Sequence, residues 1–320
     1  MEKQYHDNLI VSSAPHAVSN VDTTKVMGTV LLALIPAFAV GIYQFGYRAA
    51  VLTIVCAAAC MIFEWLFNKI MKRKQTAGDL SAALTGVLIA FNVPSNLPYW
   101  IAIIGCFVAI IVVKQLFGGI GQNLVNPAVT ARIVLFISFA TEMTTWPVPR
   151  GAGAADAVTG PTPLGILAEG GGQMPSNLDL FLGNVGGCVG EVSALALLIG
   201  GIFLIWKKII SPIIPVCFLG TVFVLALIIP GQDPIFHLCA GGLMLGAFFC
   251  ATDYVTSPIL PMGKVIFGIG CGLFTILIRV YGSYPEGVSF AILLMNILTP
   301  HIDNFCISRA YKKGGGKGEK

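Results

Sequence analysis

Charge is what this sequence has least of. Lys, Arg, Asp and Glu together make up 11% of its 320 residues, where a soluble domain carries about a quarter. That excludes a surface built to face water. Apolar residues reach 56% and the mean hydropathy is +0.85, so lipid is the solvent that fits. A CxxC pair is also missing. Of the nine cysteines, Cys56, Cys60, Cys106, Cys217, Cys239 and Cys271 lie inside apolar runs, and Cys188, Cys250 and Cys306 lie near their ends. This argues against a disulfide framework and against an iron–sulfur site made by this chain alone. Cys56 and Cys60, four apart, share a helical face and read as packing. Residues 1–21 carry Glu2, His6, Asp7 and Asn8 and lack the basic start and apolar core of a secretory signal. The first span is then expected to direct insertion. No GxGxxG follows a strand, and no Walker A or HExxH motif occurs. His16, His237 and His301 have no ligand spacing. The chain is expected to bind neither NAD, ATP nor metal by itself, and no nucleic acid.

The apolar runs predict an all-α polytopic membrane protein of about ten transmembrane helices. A crossing helix needs about 20 mostly apolar residues. The runs 26–44, 49–68, 98–117, 188–206, 211–230 and 262–281 meet this, and 80–92, 127–141, 236–251 and 287–303 are shorter. The short ones adjoin Gly, Pro and Asn and read as tilted, broken or half-membrane helices. Lys69, Lys72, Arg73 and Lys74 follow the second run, Lys207 and Lys208 the sixth, and Arg309, Lys312, Lys313, Lys317 and Lys320 the tenth. With ten spans these share a side with Lys3, Lys25, Lys114 and Lys264, and only Arg48, Arg150 and Arg279 stand opposite. The positive-inside rule then predicts both termini in the cytoplasm. The organisation expected is a cytoplasmic segment 1–25, a five-helix half 26–141, an outer loop 142–187, a second half 188–308 and a basic tail 309–320. Leu84–Phe91 resembles Leu198–Ile205, and each half has one Pro-broken polar segment, Gly118–Ala128 and Ala251–Pro258. Five spans per half would make the two repeats inverted, with a site where the breaks meet.

Three features carry candidate chemistry. The outer loop holds Asp156-Ala-Val-Thr-Gly-Pro-Thr-Pro-Leu-Gly165. Pro161 and Pro163 are expected to hold Thr162 extended, with its hydroxyl accessible. An ordinary Pro/Gly turn reads the same way locally. In Gly118–Ala128 three glycines allow close backbone approach to a flat ring, and Asn123 and Asn126 can both donate and accept. Pro127 then starts a helix. Helix capping is the plainer reading of the same residues. Acids within apolar runs are costly and tend to be functional: Glu64, Glu191 and Asp253, with Asp303 near the last inner end. Asp253, in a break rich in hydroxyls, and Glu191, at the start of the sixth run, are the ion-pathway candidates. Helix capping and a favourable helix dipole are their structural alternatives. Glu64 stands one turn from Asn68 and Lys69 and reads as an interfacial pair.

Taken in order, Ser13–His16, Gly118–Ala128, Asp156–Leu164, Gly190–Ala196, Ala251–Pro258 and Arg279–Ala291 resemble the D subunits of the Rnf complex, the ion-translocating ferredoxin:NAD oxidoreductase. The chain is also similar to the B subunits of the sodium-translocating NADH:quinone reductase. The resemblance implies a flavin transferase that attaches FMN through a phosphoester to Thr162, with Asp156, Thr159 and Gly160 completing the motif. Pro161 departs from the family's Ala. It implies riboflavin inside the membrane, with Asn123 and Asn126 as contacts. It also implies electron transfer from the outer FMN inward, coupled to Na⁺ or H⁺, in the cytoplasmic membrane of a bacterium or archaeon. The implied partners are the other Rnf subunits, including an FMN-bearing one on the outer face. The rival class is a small-solute channel or secondary transporter of urea-channel-like fold, which has no use for the Thr162 loop.

Overall fold

The computed structural model describes residues 22–150, 159–160, 162–169, 174–282 and 286–315. Within them the chain is mainly helical. The helices are α1 (Thr23–Phe45), α2 (Tyr47–Ile70), α3 (Ser81–Phe91), α4 (Tyr99–Phe107), α5 (Pro127–Ser138), α6 (Ala140–Thr144), α7 (Pro163–Glu169), α8 (Asn177–Leu182), α9 (Ala194–Trp206), α10 (Ile213–Ile228), α11 (Pro234–Cys239), α12 (Leu243–Leu245), α13 (Pro261–Tyr281) and α14 (Val288–Gly315). Helix α4 continues as a π-helical stretch, Val108–Gln115, and α12 as another, Gly246–Cys250. Four helices, α1, α2, α13 and α14, are long and apolar enough to cross a membrane. Shorter apolar helices accompany them: α3, α4 with its π extension, α5, α9 and α10. Leu32, Ile54, Ile202, Val224 and Leu227 point outward and are exposed. A soluble protein would bury most of these.

Local signals explain where helices begin and turn. Asp22 caps α1 by accepting from Thr23 N at 2.8 Å. Gly46, at φ +76°, makes the tight turn into α2 that a side chain would strain. Pro127, Pro234 and Pro261 each occupy a first turn, where a missing N–H costs nothing.

One expected bound is corrected. Helix α9 starts at Ala194 rather than near residue 188, because Ser193 caps it by accepting from Ala196 N. The short 236–251 run is broken, as its composition suggested, at 240–242 between α11 and α12. The described part of the 142–187 connection holds α7, α8 and the end of α6, and a two-residue antiparallel ladder pairs Trp146 with Gly160 and Pro147 with Thr159. Leu164 and Leu180 from this connection are buried in the core, and Asn177 Nδ2 donates to Asp233 Oδ2 at 2.8 Å.

The two similar octapeptides fall on α3 and α9, the third and sixth apolar helices in order. That is not a five-span offset, so their likeness does not register two halves. Its physical basis is close helix packing. A Cβ at Gly86 would meet the Cys56 carbonyl oxygen of α2 at 2.5 Å, and one at Gly200 would meet that of Ala33 in α1 at 2.2 Å.

Glu64 does not pair with Lys69. It is fully buried and accepts from Lys114 Nζ at 3.0 Å, Gln115 Nε2 at 2.9 Å and Thr76 Oγ1 at 2.8 Å. Lys114, expected among the inner surface cations, is itself buried and also donates to Ser81 Oγ at 2.6 Å. Lys69 lies instead over the Trp65 ring. Removing one partner of a buried pair strands the other charge, which costs about 3–5 kcal/mol, whereas replacing both by apolar groups is often neutral. Glu64→Ala or Lys114→Ala alone should therefore lower the melting temperature of the detergent-purified chain by many degrees. The Glu64→Leu, Lys114→Met double variant should recover most of the loss. A double variant no better than the singles would show that the pair is not what stabilises this corner.

Candidate functional site

Two cavities open at opposite ends of α5, termed inner and outer after the sides that the charge pattern predicts. The inner one is lined by Lys114, Gly121, Asn123, Asn126, Phe249 and Asp253, among others, and has a volume of about 120 Å³. The outer one is lined by Trp146, Thr162, Leu180, Val185, Glu191 and Glu286, among others, and has a volume of about 280 Å³. The outer one approaches the lower end of small-molecule site sizes, about 300 Å³, and the inner one is smaller. Ala128 faces the inner cavity and Phe136 the outer one. The eight-residue step from Ala128 to Phe136 spans about 12 Å along a helix. Among the described residues no group of His, Cys, Asp and Glu has the arrangement to hold a metal ion.

The inner cavity collects most of the polar segment found by sequence, but its residues differ in what they can do. Asn126 caps α5, accepting from Ala128 N at 3.0 Å and Val129 N at 3.2 Å, and its amide donates to the Cys250 carbonyl at 3.1 Å. Its side chain is almost fully committed to the protein. Asn123 donates to the Val125 carbonyl at 3.2 Å, which leaves acceptor and donor capacity toward the cavity. Gly118, Gly119 and Gly121 have φ of 125°, 101° and 82°, so backbone conformation accounts for all three. Only Gly121 of these lines the cavity. Asp253 accepts from Thr256 Oγ1 at 3.1 Å while facing the same space as Asn123. Both π-helical stretches end at this cavity, contributing Lys114 from one and Phe248 and Phe249 from the other. π turns inside helices concentrate at functional sites.

Thr162 stands at the outer cavity. It caps α7: Oγ1 accepts from Gly165 N at 3.1 Å and its carbonyl from Ile166 N at 2.9 Å, with Pro163 at the first helical position. Among the described residues the hydroxyl's own proton has no acceptor, and the half-buried side chain faces the cavity. Gly160, in the ladder, lines an adjoining shallow pocket, and Thr159 is its ladder neighbour. Asp156 lies outside the described residues.

The floor of this cavity holds a group of charges that sequence reading only partly found. Glu191 sits in the turn ahead of α9, not in its first helical turn, and accepts from Cys188 N at 3.1 Å. Arg132 of α5 bonds Asn92 Oδ1 at 2.8 Å and Glu286, and lies 3.7 Å from Glu191 Oε2. Arg279 of α13 donates to the carbonyls of His237 at 2.6 Å, Ala240 at 2.8 Å and Glu286 at 3.1 Å. Arg132, Arg279 and Glu286 were not among the candidate site residues. An arginine inside the 127–141 run is as costly as the acids and carried the same signal. Asp303 accepts from Ile259 N at 3.1 Å and ties α14 to the segment ahead of α13. His237 is fully buried and pairs with Gln232.

Residues 10–312 match the family described as NQR2, RnfD, RnfE. The chain is 50% identical over 308 residues to the D subunit of the Na(+)-translocating ferredoxin:NAD(+) oxidoreductase complex of Acetobacterium woodii, which covers 95% of each chain. It is 42% identical over 320 residues to the D subunit of the proton-translocating ferredoxin:NAD(+) oxidoreductase complex of Clostridium ljungdahlii, covering 95% of this chain and 96% of that one. It is 41% identical over 335 residues to the D subunit of the ion-translocating oxidoreductase complex of Stutzerimonas stutzeri, covering 92% of each.

The division of labour between the two asparagines is testable. Asn126→Ala removes a cap, worth about 1 kcal/mol, and the tether to Cys250. Asn126→Asp keeps the acceptor for the cap and loses only the tether. The melting temperature should fall in the order wild type, Asn126→Asp, Asn126→Ala, while Asn123→Ala stays close to wild type. Equal losses at Asn123 and Asn126 would contradict the assignment.

Proposed function

Because the chain belongs to the NQR2, RnfD, RnfE family, we propose that it is the D subunit of an ion-translocating ferredoxin:NAD oxidoreductase complex, holding FMN on Thr162 and a second flavin, riboflavin, inside. Electrons pass from the outer flavin inward, coupled to Na⁺ or H⁺ movement. The observation that carries this reading is the placement of Thr162. Its hydroxyl is fixed by a helix cap at a cavity whose walls include Trp146, Phe136 and Leu180.

The residues fit such a group. The outer cavity offers aromatic and apolar walls for a flat ring, and Thr162 offers an oxygen for a phosphoester made by a flavin transferase. The inner cavity offers Asn123 as donor and acceptor for a flavin edge, and Phe248 and Phe249 for its face. Bound flavins supply one- and two-electron chemistry. The chain's own contribution is to hold them at the two ends of α5, exclude water and keep them at fixed separation. The relatives' names include both a sodium and a proton translocator, so family membership does not select the ion. Asp253, facing the inner cavity, is the ion candidate on that side, and Glu191 faces the outer one.

The same reading orients the chain. Ten spans in two inverted halves, both termini in the cytoplasm and the 142–187 connection outside place Thr162 on the outer face of the cytoplasmic membrane. The remaining subunits of the complex, including an FMN-bearing one on the outer face, are the partners. A small-solute channel has no use for a loop hydroxyl packed over a cavity.

Chain produced with its flavin transferase should fluoresce as a flavoprotein on a denaturing gel, and Thr162→Ala should abolish the signal. A dark wild-type band under co-expression would overturn the covalent assignment. Non-covalent flavin released by denaturing the native chain should drop several-fold in Asn123→Ala with little change in melting temperature. Unchanged release would remove Asn123 from the site. Asp253→Asn in the intact complex should abolish ion uptake into proteoliposomes, and unimpaired uptake would exclude it.

A further inference from the structure

Two buried carboxylate oxygens at the floor of the outer cavity have no hydrogen-bond partner: Glu191 Oε2 and Glu286 Oε1. They point at one spot. A Cβ placed on Gly242 would lie 2.9 Å from the first and 3.0 Å from the second. Glu191 is 7% exposed and lines the cavity, as does Glu286. The other oxygen of each is used, Glu191 Oε1 by the Cys188 amide and Glu286 Oε2 by Arg132. Leaving two such acceptors bare in a dry interior is costly, and so is facing two carboxylates across a few ångströms with both ionised.

We propose that Glu191 and Glu286 share one exchangeable proton, which makes the floor of the outer cavity a proton-binding site. A proton on either carboxyl turns an orphan acceptor into a donor and supplies the other orphan with its partner. It also removes one of two facing negative charges. The surroundings are accounted for from each element. Arg132 of α5 contacts both carboxylates and compensates one negative charge. The Arg279 guanidinium of α13 is spent on three backbone carbonyls. Cys188 donates from its backbone to Glu191 and lies 3.4 Å from Arg132 through its sulfur. His237 of α11 turns its Nε2 to Gln232. Glu286 lies in the connection between α13 and α14, outside both helices. Burial pushes its carboxyl up to about 7, Arg132 opposes this, and Glu191 adds to it. A metal cation fits the spot less well. Two free oxygens fall far short of the six or more that hard cations collect, and Arg132 already occupies the near side.

This assignment stands whether or not a flavin occupies the cavity above. Its test therefore uses the full chain in lipid nanodiscs, prepared with and without the flavin transferase. Infrared spectra are recorded in H₂O and D₂O across a pH series. A protonated-carboxyl C=O band should persist near neutral pH in both preparations, shift downward in D₂O, and fade as pH rises through about 7. It should be lost in Glu191→Gln and in Glu286→Gln, each of which keeps a hydrogen-bonding amide. It should survive in Asp253→Asn. No such band in wild-type chain at neutral pH overturns the proposal without reference to any variant. A band that survives both glutamine variants, or that vanishes in Asp253→Asn, also overturns it. Exchanging KCl for NaCl should leave the band in place, and its loss in Na⁺ would replace the proton by a cation.

Discussion

Helix breaks beside the two cavities leave backbone carbonyls buried without a helical partner, and side chains must satisfy them. That requirement shapes both cavities. Arg279 gathers the carbonyls of His237, Ala240 and Glu286, which holds the break between α11 and α12 and ties it to the start of α14. Asn126 takes the Cys250 carbonyl at the end of the second π-helical stretch, and Thr299 of α14 takes that of Thr256 at 3.0 Å. Irregular backbone survives at membrane depth only where protein or a cavity receives it. Here the breaks border both cavities, so the polar groups a ligand needs come from the same segments that would otherwise be liabilities.

Buried charge follows two different patterns. Around Glu64 every oxygen is satisfied: Lys114, Gln115 and Thr76 use both carboxylate oxygens, and the group reads as a structural joint between α2 and the end of α4. Around Arg132 this fails, since two carboxylates face one guanidinium and two oxygens are left over. The difference in satisfaction separates a joint from a site, and it cannot be read from residue type or depth alone.

Helical runs were legible because hydropathy acts locally, and each of the ten predicted segments overlaps helix. The breaks were partly legible, since Gly, Pro and Asn mark them. What escaped was long-range pairing. Glu64 finds Lys114 fifty residues on rather than the nearby Lys69, and Asn68 reaches it only through Thr76. Arg132 drew no notice because its run looked merely short, although its partner Glu191 did. Thr162 is legible as a hydroxyl between two prolines, and its role as a cap follows from Pro163, which suits the first position of a helix. The octapeptide likeness misled for a related reason, because glycine at a helix contact produces similar strings wherever helices touch closely.

Helix α5 brings these threads together. Its first residues are pinned by Asn126 at the inner cavity, its middle carries Arg132, and Phe136 near its end lines the outer cavity. A single rigid element therefore sets the spacing of the two cavities and places a fixed positive charge between them. The inner end is tethered to the break after α12 through Cys250, and the middle to Glu286 ahead of α14. Displacing the segment from 240 to 251 would disturb both ends at once. An interior charge that bonds Glu286 directly and stands beside Glu191 cannot shift without changing how tightly either carboxylate is held. Coupling between the cavities, on this geometry, needs no chain of intermediate residues beyond one helix and the side chains it carries.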